Sequence, residues 1–168
     1  DFPAQRFPTF VSSTGPTLNV DQDYGERLRM IKDCFAGDLP KVIVASVQSL
    51  LQSVPSQSSI HNHTRVVKRG DQLDPESFHQ WLQGHGFHQT SAVELPGEYS
   101  VRGGIIDIFI PDWQYPVRLE MFDNEVESLR NFSTGWQLSG GEIEQIEITV
   151  LSPDYKDTAH LMDFLPTE

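Results

Sequence analysis

The chain has a single cysteine, Cys34, among its 168 residues. One thiol closes no internal disulfide and builds no cysteine-based zinc cluster, and it fits a reducing compartment. Positive charge is also scarce: twelve lysines and arginines stand against twenty-four aspartates and glutamates, a formal charge of −12. A duplex-binding surface needs clustered basic residues to displace counterions, so the composition argues against non-specific nucleic-acid binding. An acidic surface suits solubility and association with a basic patch on a partner. No apolar run approaches the roughly 18 residues that read as a membrane span. No Gly-Lys pair occurs anywhere, so the chain lacks the core of a phosphate loop. The opening "DFPAQRFPTF" has no initiator Met and no signal-like pattern, and it reads as part of a longer protein.

Hydrophobic residues make up 38% of the chain and charged ones 21%, which is enough for a folded core. Eleven prolines and twelve glycines predict many turns and short elements. Residues 1–20 read as a loop with a short strand at most. In "DQDYGERLRMIKDCF", Tyr24, Leu28, Ile31 and Phe35 share a helical face, and Gly37 and Pro40 mark the stop. Val42–Ala45 is a continuous apolar run, as in a strand buried on both faces. Ser46 caps a following helix that carries Val47, Leu50 and Leu51, and Pro55 closes it. This α/β-style piece has one parallel-type strand and calls for a sheet neighbour from elsewhere. The polar "SQSSIHNHT" (56–64) is the expected boundary.

Beyond it the texture changes. "RVVKRGDQL" contains a short strand. "LDPESFHQWLQGHG" is a helix with Asp74 as N-cap and Pro75 at its first position, and Leu73 and Phe78 form a hydrophobic staple. Phe78, Trp81 and Leu82 form its buried stripe, and Gly84 or Gly86 ends it. From Phe87 onward the period is two. In "GGIIDIFI", Ile106, Ile108 and Ile110 face one way and Ile105, Asp107 and Phe109 the other. "VRLEMFDNEVESLRNF" alternates around a two-residue hairpin turn at Asp123–Asn124. "EIEQIEITVL" is a further strand, with Ile146, Ile148 and Val150 on one face, and 158–166 a short helix. The expected fold of 63–151 is α+β, a curved antiparallel sheet with one packed helix. Residues 1–57 form a partial α/β segment and 152–168 a C-terminal connection.

Four kinds of chemistry have candidates. The stretch "GEYSVRGGIIDIF" (97–109) has glycines around Arg102. However, Gly97, Gly103 and Gly104 miss the dinucleotide spacing, and a strand follows them rather than a helix. "HNH" (61–63) and "HGFH" (85–88) bring histidines together without the carboxylates or cysteines that complete a metal cage. Glu98, Asp107, Glu120 and Asp123 offer carboxylates for acid–base work, yet Glu120, Glu125 and Glu127 read as the exposed face of a hairpin. The outer stripe of the sheet is the most informative. If Val117, Leu119 and Met121 face the core, then Arg118, Glu120 and Phe122 face out, and Arg102 on the preceding strand pairs across with Glu120. Arginine beside an exposed aromatic suits protein docking, and spacing alone leaves an ordinary solvated face equally open.

At this point a resemblance becomes specific. "GEYSVRGGIIDIFIPDWQYPVRLEMFDNEVESLRNF" resembles domain 2 shared by the excision-repair protein UvrB and the bacterial transcription–repair coupling factors. Tyr99, Arg102, Gly103, Asp107, Ile108, Phe109, Arg118, Glu120, Phe122, Glu125, Val126, Leu129 and Arg130 fit its pattern. "GERLRMIKDCFAGDLPKVIVASVQSLLQSVP" resembles the preceding helicase-like subdomain, and "RGGIIDIF" leans towards the coupling factor. The resemblance implies a non-enzymatic docking module for UvrA in nucleotide excision repair, in a bacterial cytoplasmic protein. No cofactor is then expected in this chain. ATP and magnesium, DNA translocation and the grip on RNA polymerase would belong to other domains, and a C-terminal domain would mask the UvrA-binding face. Carried over by position, Arg102 and Glu120 match UvrA-contacting residues, with Phe122, Arg118 and His88 beside them. Ser100 and Gln89 stand where the family carries arginines. Two rivals are a UvrB-like helicase piece whose ATP site lies outside the chain, and a structural module that holds a longer protein closed.

Overall fold

The computed structural model describes residues 4–9, 22–133, 139–150 and 157–165. Strand β1 (Ala4–Phe7), helix α1 (Gln22–Ala36) and strand β2 (Val42–Ala45) form a β–α–β unit in which the two strands pair in parallel. Tyr24, Leu28 and Ile31 recur at helical spacing and are buried, and Asp23 in the first turn complements the helix dipole. Helix α2 (Val47–Leu51) follows Ser46, whose side chain accepts from the Ser49 N–H at 3.0 Å. Strand β3 (Val54–Pro55) and helix α3 (Gln57–Asn62) complete this part.

Two expectations change here. Strand β2 is not buried on both faces, since Val42 is 41% and Val44 57% exposed. Its only partner among the described residues is β1, and no second layer covers the valines. The α2 stripe is likewise open, with Val47 and Leu51 exposed, while Leu50 packs against the core beneath. The polar 56–64 stretch, the expected boundary, contains α3. Ser56 caps it by accepting from the Ser59 N–H, and Ile60 drops into a core with Phe7, Leu28, Val54 and Leu161. Polar composition concealed a capped helix with one anchoring side chain.

Strand β4 (Thr64–Lys68) leads to helix α4 (Pro75–Gly84). Asp74 accepts from the Ser77 hydroxyl and backbone N–H, and these bonds hold its carboxyl below the ordinary range. Leu73 and Phe78, the staple pair, are both buried. Strands β5 (His88–Gln89), β6 (Glu98–Arg102), β7 (Ile105–Ile108), β8 (Val117–Phe122), β9 (Glu125–Phe132) and β10 (Ser139–Glu142) form a six-stranded sheet in the order β10-β9-β8-β7-β6-β5. All neighbours are antiparallel except β5 and β6, which run parallel. Strand β11 (Gln145–Thr149) pairs with β4, and β12 (Thr158–Ala159) pairs with β3 ahead of a 3₁₀ turn at Leu161–Phe164. The chain is thus mixed α/β, with several antiparallel sheets and few helices. Phe78 and Leu82 of α4 pack with Ile106, Ile108, Val117 and Leu119 in a second core. Burying each such side chain contributes about 2 kcal/mol. No helix among the described residues is long and apolar enough to cross a membrane.

The two cores meet where α1 lies against the turn between β7 and β8. A Cβ on Gly25 would stand 2.1 Å from the Pro111 carbonyl oxygen, so only glycine permits this approach. Arg29 Nε donates to the Asp112 carbonyl at 2.7 Å. Lys32 Nζ reaches Asp112 Oδ2 at 2.8 Å and Glu147 Oε2 at 3.2 Å. Burial pushes the Asp112 carboxyl above its ordinary value, and Lys32 opposes this only in part. For Lys32, burial works downward, but the two carboxylates outweigh it and carry the ammonium above its ordinary value. Asp112→Ala is expected to lower stability by about 2 kcal/mol in urea unfolding. That is less than for a fully buried pair, since Lys32 keeps Glu147 and 19% side-chain exposure.

Candidate protein-docking face

Antiparallel pairing places directly opposed residues on the same face of a sheet. Along β6–β7–β8–β9, Val101, Ile106, Leu119 and Leu129 form one row and are directed into the core. Ser100, Asp107, Arg118 and Arg130 form the next row, and Arg102, Ile105, Glu120 and Ser128 the one after that, both on the opposite face. Phe122 continues this outer face on β8 and is 70% exposed.

The charges on these rows are paired, though not as expected. Arg102 and Glu120 share a row but β7 stands between them, a separation of about 10 Å at ordinary strand spacing. Arg102 Nη2 instead donates to Asp107 Oδ2 at 3.0 Å. Arg118 grips the same carboxylate with both arms of its fork, Nε to Oδ1 at 2.7 Å and Nη2 to Oδ2 at 2.9 Å. These bonds hold the Arg118 guanidinium above its ordinary value. Phe132 covers Arg118, its ring centroid 5.1 Å from the guanidinium carbon. Glu120 is claimed by Ser128 and Arg130, each at 2.7 Å through Oε2.

The structure therefore brings Arg102, Glu120 and Phe122 towards one end of one face, links Arg118 to Arg102 through Asp107, and puts His88 in a different place. His88 pairs with Glu98 on the edge strand β5, four residues along β6 from Arg102, or about 13 Å by strand rise. Ser100 is 1% exposed and faces Asp107 across the ladder, and its small side chain leaves that carboxylate to the two arginines. Gln89 is exposed on β5.

Asp107 and Arg130 are the two members that spacing arguments missed. For Arg130 the signal is the interval between Val126 and Leu129, both apolar yet three residues apart, which requires a bulge in β9, while the convergence on Asp107 follows only from the strand order.

The other candidate groups are committed elsewhere. Glu98 accepts the N–H groups of Glu94 and Leu95 at 2.8 and 2.9 Å. His63 and His85 lie near the carbonyl oxygens of Ser59 and Trp81. Among the described residues, no three His, Cys, Asp or Glu side chains gather as a metal site.

The β6–β7 turn that carries Arg102 has its own constraint. Gly103 has φ +60°, and a Cβ on Gly104 would lie 2.6 Å from the Met121 carbonyl oxygen. The backbone is held there by the Met121 N–H, which donates to the Gly104 carbonyl at 2.6 Å. Gly104→Ala is expected to cost about 1–3 kcal/mol in chemical denaturation, because backbone rather than a flexible side chain must yield.

A mixed α/β domain with an outer face of paired charges and one exposed aromatic is the class this geometry defines. The UvrB interaction domain profile matches residues 66–153, just over half of the chain, and the chain belongs to that family. The chain is 35% identical over 143 residues to a transcription-repair-coupling factor of Staphylococcus aureus (strain bovine RF122 / ET3-1), covering 85% of this chain and 12% of that protein. It is 41% identical over 107 residues to the transcription-repair-coupling factor of Staphylococcus epidermidis (strain ATCC 12228 / FDA PCI 1200), and 34% identical over 107 residues to that of Escherichia coli (strain K12). Each of these two matches covers 64% of this chain and 9% of the relative, so the chain spans a small part of the proteins it matches.

Proposed function

We propose that this chain is a protein-docking module of a transcription–repair coupling factor, that it recruits UvrA to stalled RNA polymerase in nucleotide excision repair, and that it performs no catalysis. The observation that carries the reading is that Arg102 and Phe122 both stay exposed at the turn end of the outer face, 58% at the Arg102 side chain and 70% for Phe122. Arginine and aromatic side chains dominate binding energy at protein interfaces when they sit on a rigid surround. The family match and the names of the relatives support the same reading. Arg102 and Phe122 act as direct contacts, with Arg118 and Glu120 beside them and His88 at the periphery. ATP, magnesium, DNA and RNA polymerase are then handled by other parts of the longer protein, and a C-terminal domain covers the face until polymerase is engaged. The setting is the bacterial cytoplasm.

Titration calorimetry of the chain with UvrA tests this. Arg102→Ala and Phe122→Ala are each expected to weaken binding by about 2 kcal/mol, roughly 30-fold, while Glu76→Ala on α4 leaves it unchanged. Full retention of binding by both variants sinks the site assignment, and measurable ATP turnover by the isolated chain sinks the non-enzyme reading.

A further inference from the structure

Hydrogen-bonding capacity on the outer face is unevenly used. Asp107 is 3% exposed at its side chain and takes three N–H bonds, two from Arg118 and one from Arg102. Arg118 is held by this grip and under the Phe132 ring, with its side chain 32% exposed. Arg130 is turned inward to Glu120. Arg102 differs from both. Its side chain is 58% exposed, and among the described residues only Nη2 makes a hydrogen bond. A guanidinium has five N–H donors in a planar fork, so most of this one is directed at solvent and held in orientation by a buried anion. The ion-paired groups of the face, three arginines and two carboxylates, leave one positive charge over, while Glu125 opposite Phe122 and Glu142 opposite Arg130 add negative charge farther along the same face.

We propose that Asp107 is the positioning residue of the docking face, and that the group it readies Arg102 to capture is a carboxylate on the docking partner. This rests on the UvrA-docking reading above. Asp107 itself touches no partner; it acts by fixing Arg102 from beneath, with Arg118 holding the carboxylate in place. A carboxylate matches the free edge of the Arg102 fork in geometry and charge. A neutral amide or carbonyl would leave the charge unmatched. The exposed Phe122 lies on β8, with β7 between it and Arg102, and supplies a separate apolar contact, so the complementary surface carries an acidic residue and, on the order of 10 Å away, an apolar pocket.

The test measures the affinity of the chain for UvrA between about 50 and about 300 mM salt, across which exposed charge pairs are progressively screened. Arg102→Gln is expected to weaken binding at least about ten-fold and to flatten the salt dependence. Arg102→Glu should weaken it by about a further ten-fold, through repulsion from the partner's carboxylate. Arg102→Lys should recover only part of the loss, since an ammonium lacks the fork. Asp107→Asn should also weaken binding about ten-fold, and the double variant Asp107→Asn/Arg102→Gln should bind no worse than Arg102→Gln alone, because the two act through one contact. If Arg102→Glu binds as well as Arg102→Gln, the captured group is not an anion. Additive losses in the double variant, or wild-type affinity in folded Asp107→Asn, remove the positioning role. If the unaltered chain shows no affinity for UvrA, the docking reading fails, and this inference with it.

Discussion

The cross-strand register between β8 and β9 fixes everything on the outer face. Side chains alternate along a strand, so a slip of one residue exchanges core for surface. Phe122 pairs with Glu125 and Met121 with Val126, as a two-residue hairpin requires, but Glu120 pairs with Ser128. Glu127 is therefore the extra residue of a bulge. Without it, Glu127 would stand opposite Glu120 with like charges adjacent, and Leu129 would turn outward opposite Arg118. With it, Leu129 reaches the core, Ser128 and Arg130 close on Glu120, and Phe132 falls over Arg118. One inserted residue reconciles a buried apolar pattern with a paired polar one.

The same sheet has two ends with different work. At the end formed by the turn between β7 and β8, Asp112 engages Lys32 and Arg29 of α1, and Gly25 allows the backbones to touch. The β6–β7 and β8–β9 turns lie at the other end, with Arg102 and Phe122. With the joint at one end and Arg102 at the other, the β–α–β part leaves the arginine exposed. The joint also means that the face is carried on an element anchored to two cores, which limits its freedom to reorient.

Much of this arrangement was legible in the sequence where the physics is local. Asp74-Pro75 with the Leu73/Phe78 staple marks α4, and the Asp123–Asn124 turn marks the hairpin, because caps and two-residue turns depend on only a few neighbouring residues. Ser46 and its cap were equally readable. What failed was non-local. The apolar run Val42–Ala45 does not reveal whether a second layer covers it, and the described structure leaves two of its valines open. Pairing Arg102 with Glu120 followed the correct face but skipped the intervening strand. Asp107 looked like an outward-facing carboxylate, and only the strand order shows that two arginines converge on it. Helix α3 was hidden because Ile60 is its single anchoring apolar residue in a serine- and histidine-rich stretch.

The buried position of Asp107 has an energetic logic that an exposed carboxylate would lack. Taking an ionised carboxylate out of water costs several kcal/mol, and a single partner rarely offsets that. Here the bidentate Arg118 fork and the Arg102 bond together supply three charge-assisted hydrogen bonds. Arg118 alone would satisfy the geometry, so the third bond from Arg102 is the one with freedom to serve another purpose. It holds a long side chain in a defined direction while leaving most of its donors uncovered. Ordering such a side chain at the moment of binding costs about 0.5–1.5 kcal/mol, and a side chain already held by a buried anion has less of that cost still to meet. On the docking reading, the outer face of the sheet therefore works as a support: its internal pairs keep Arg118 on Asp107 and Arg130 on Glu120, and the unspent binding capacity is concentrated in Arg102 and Phe122.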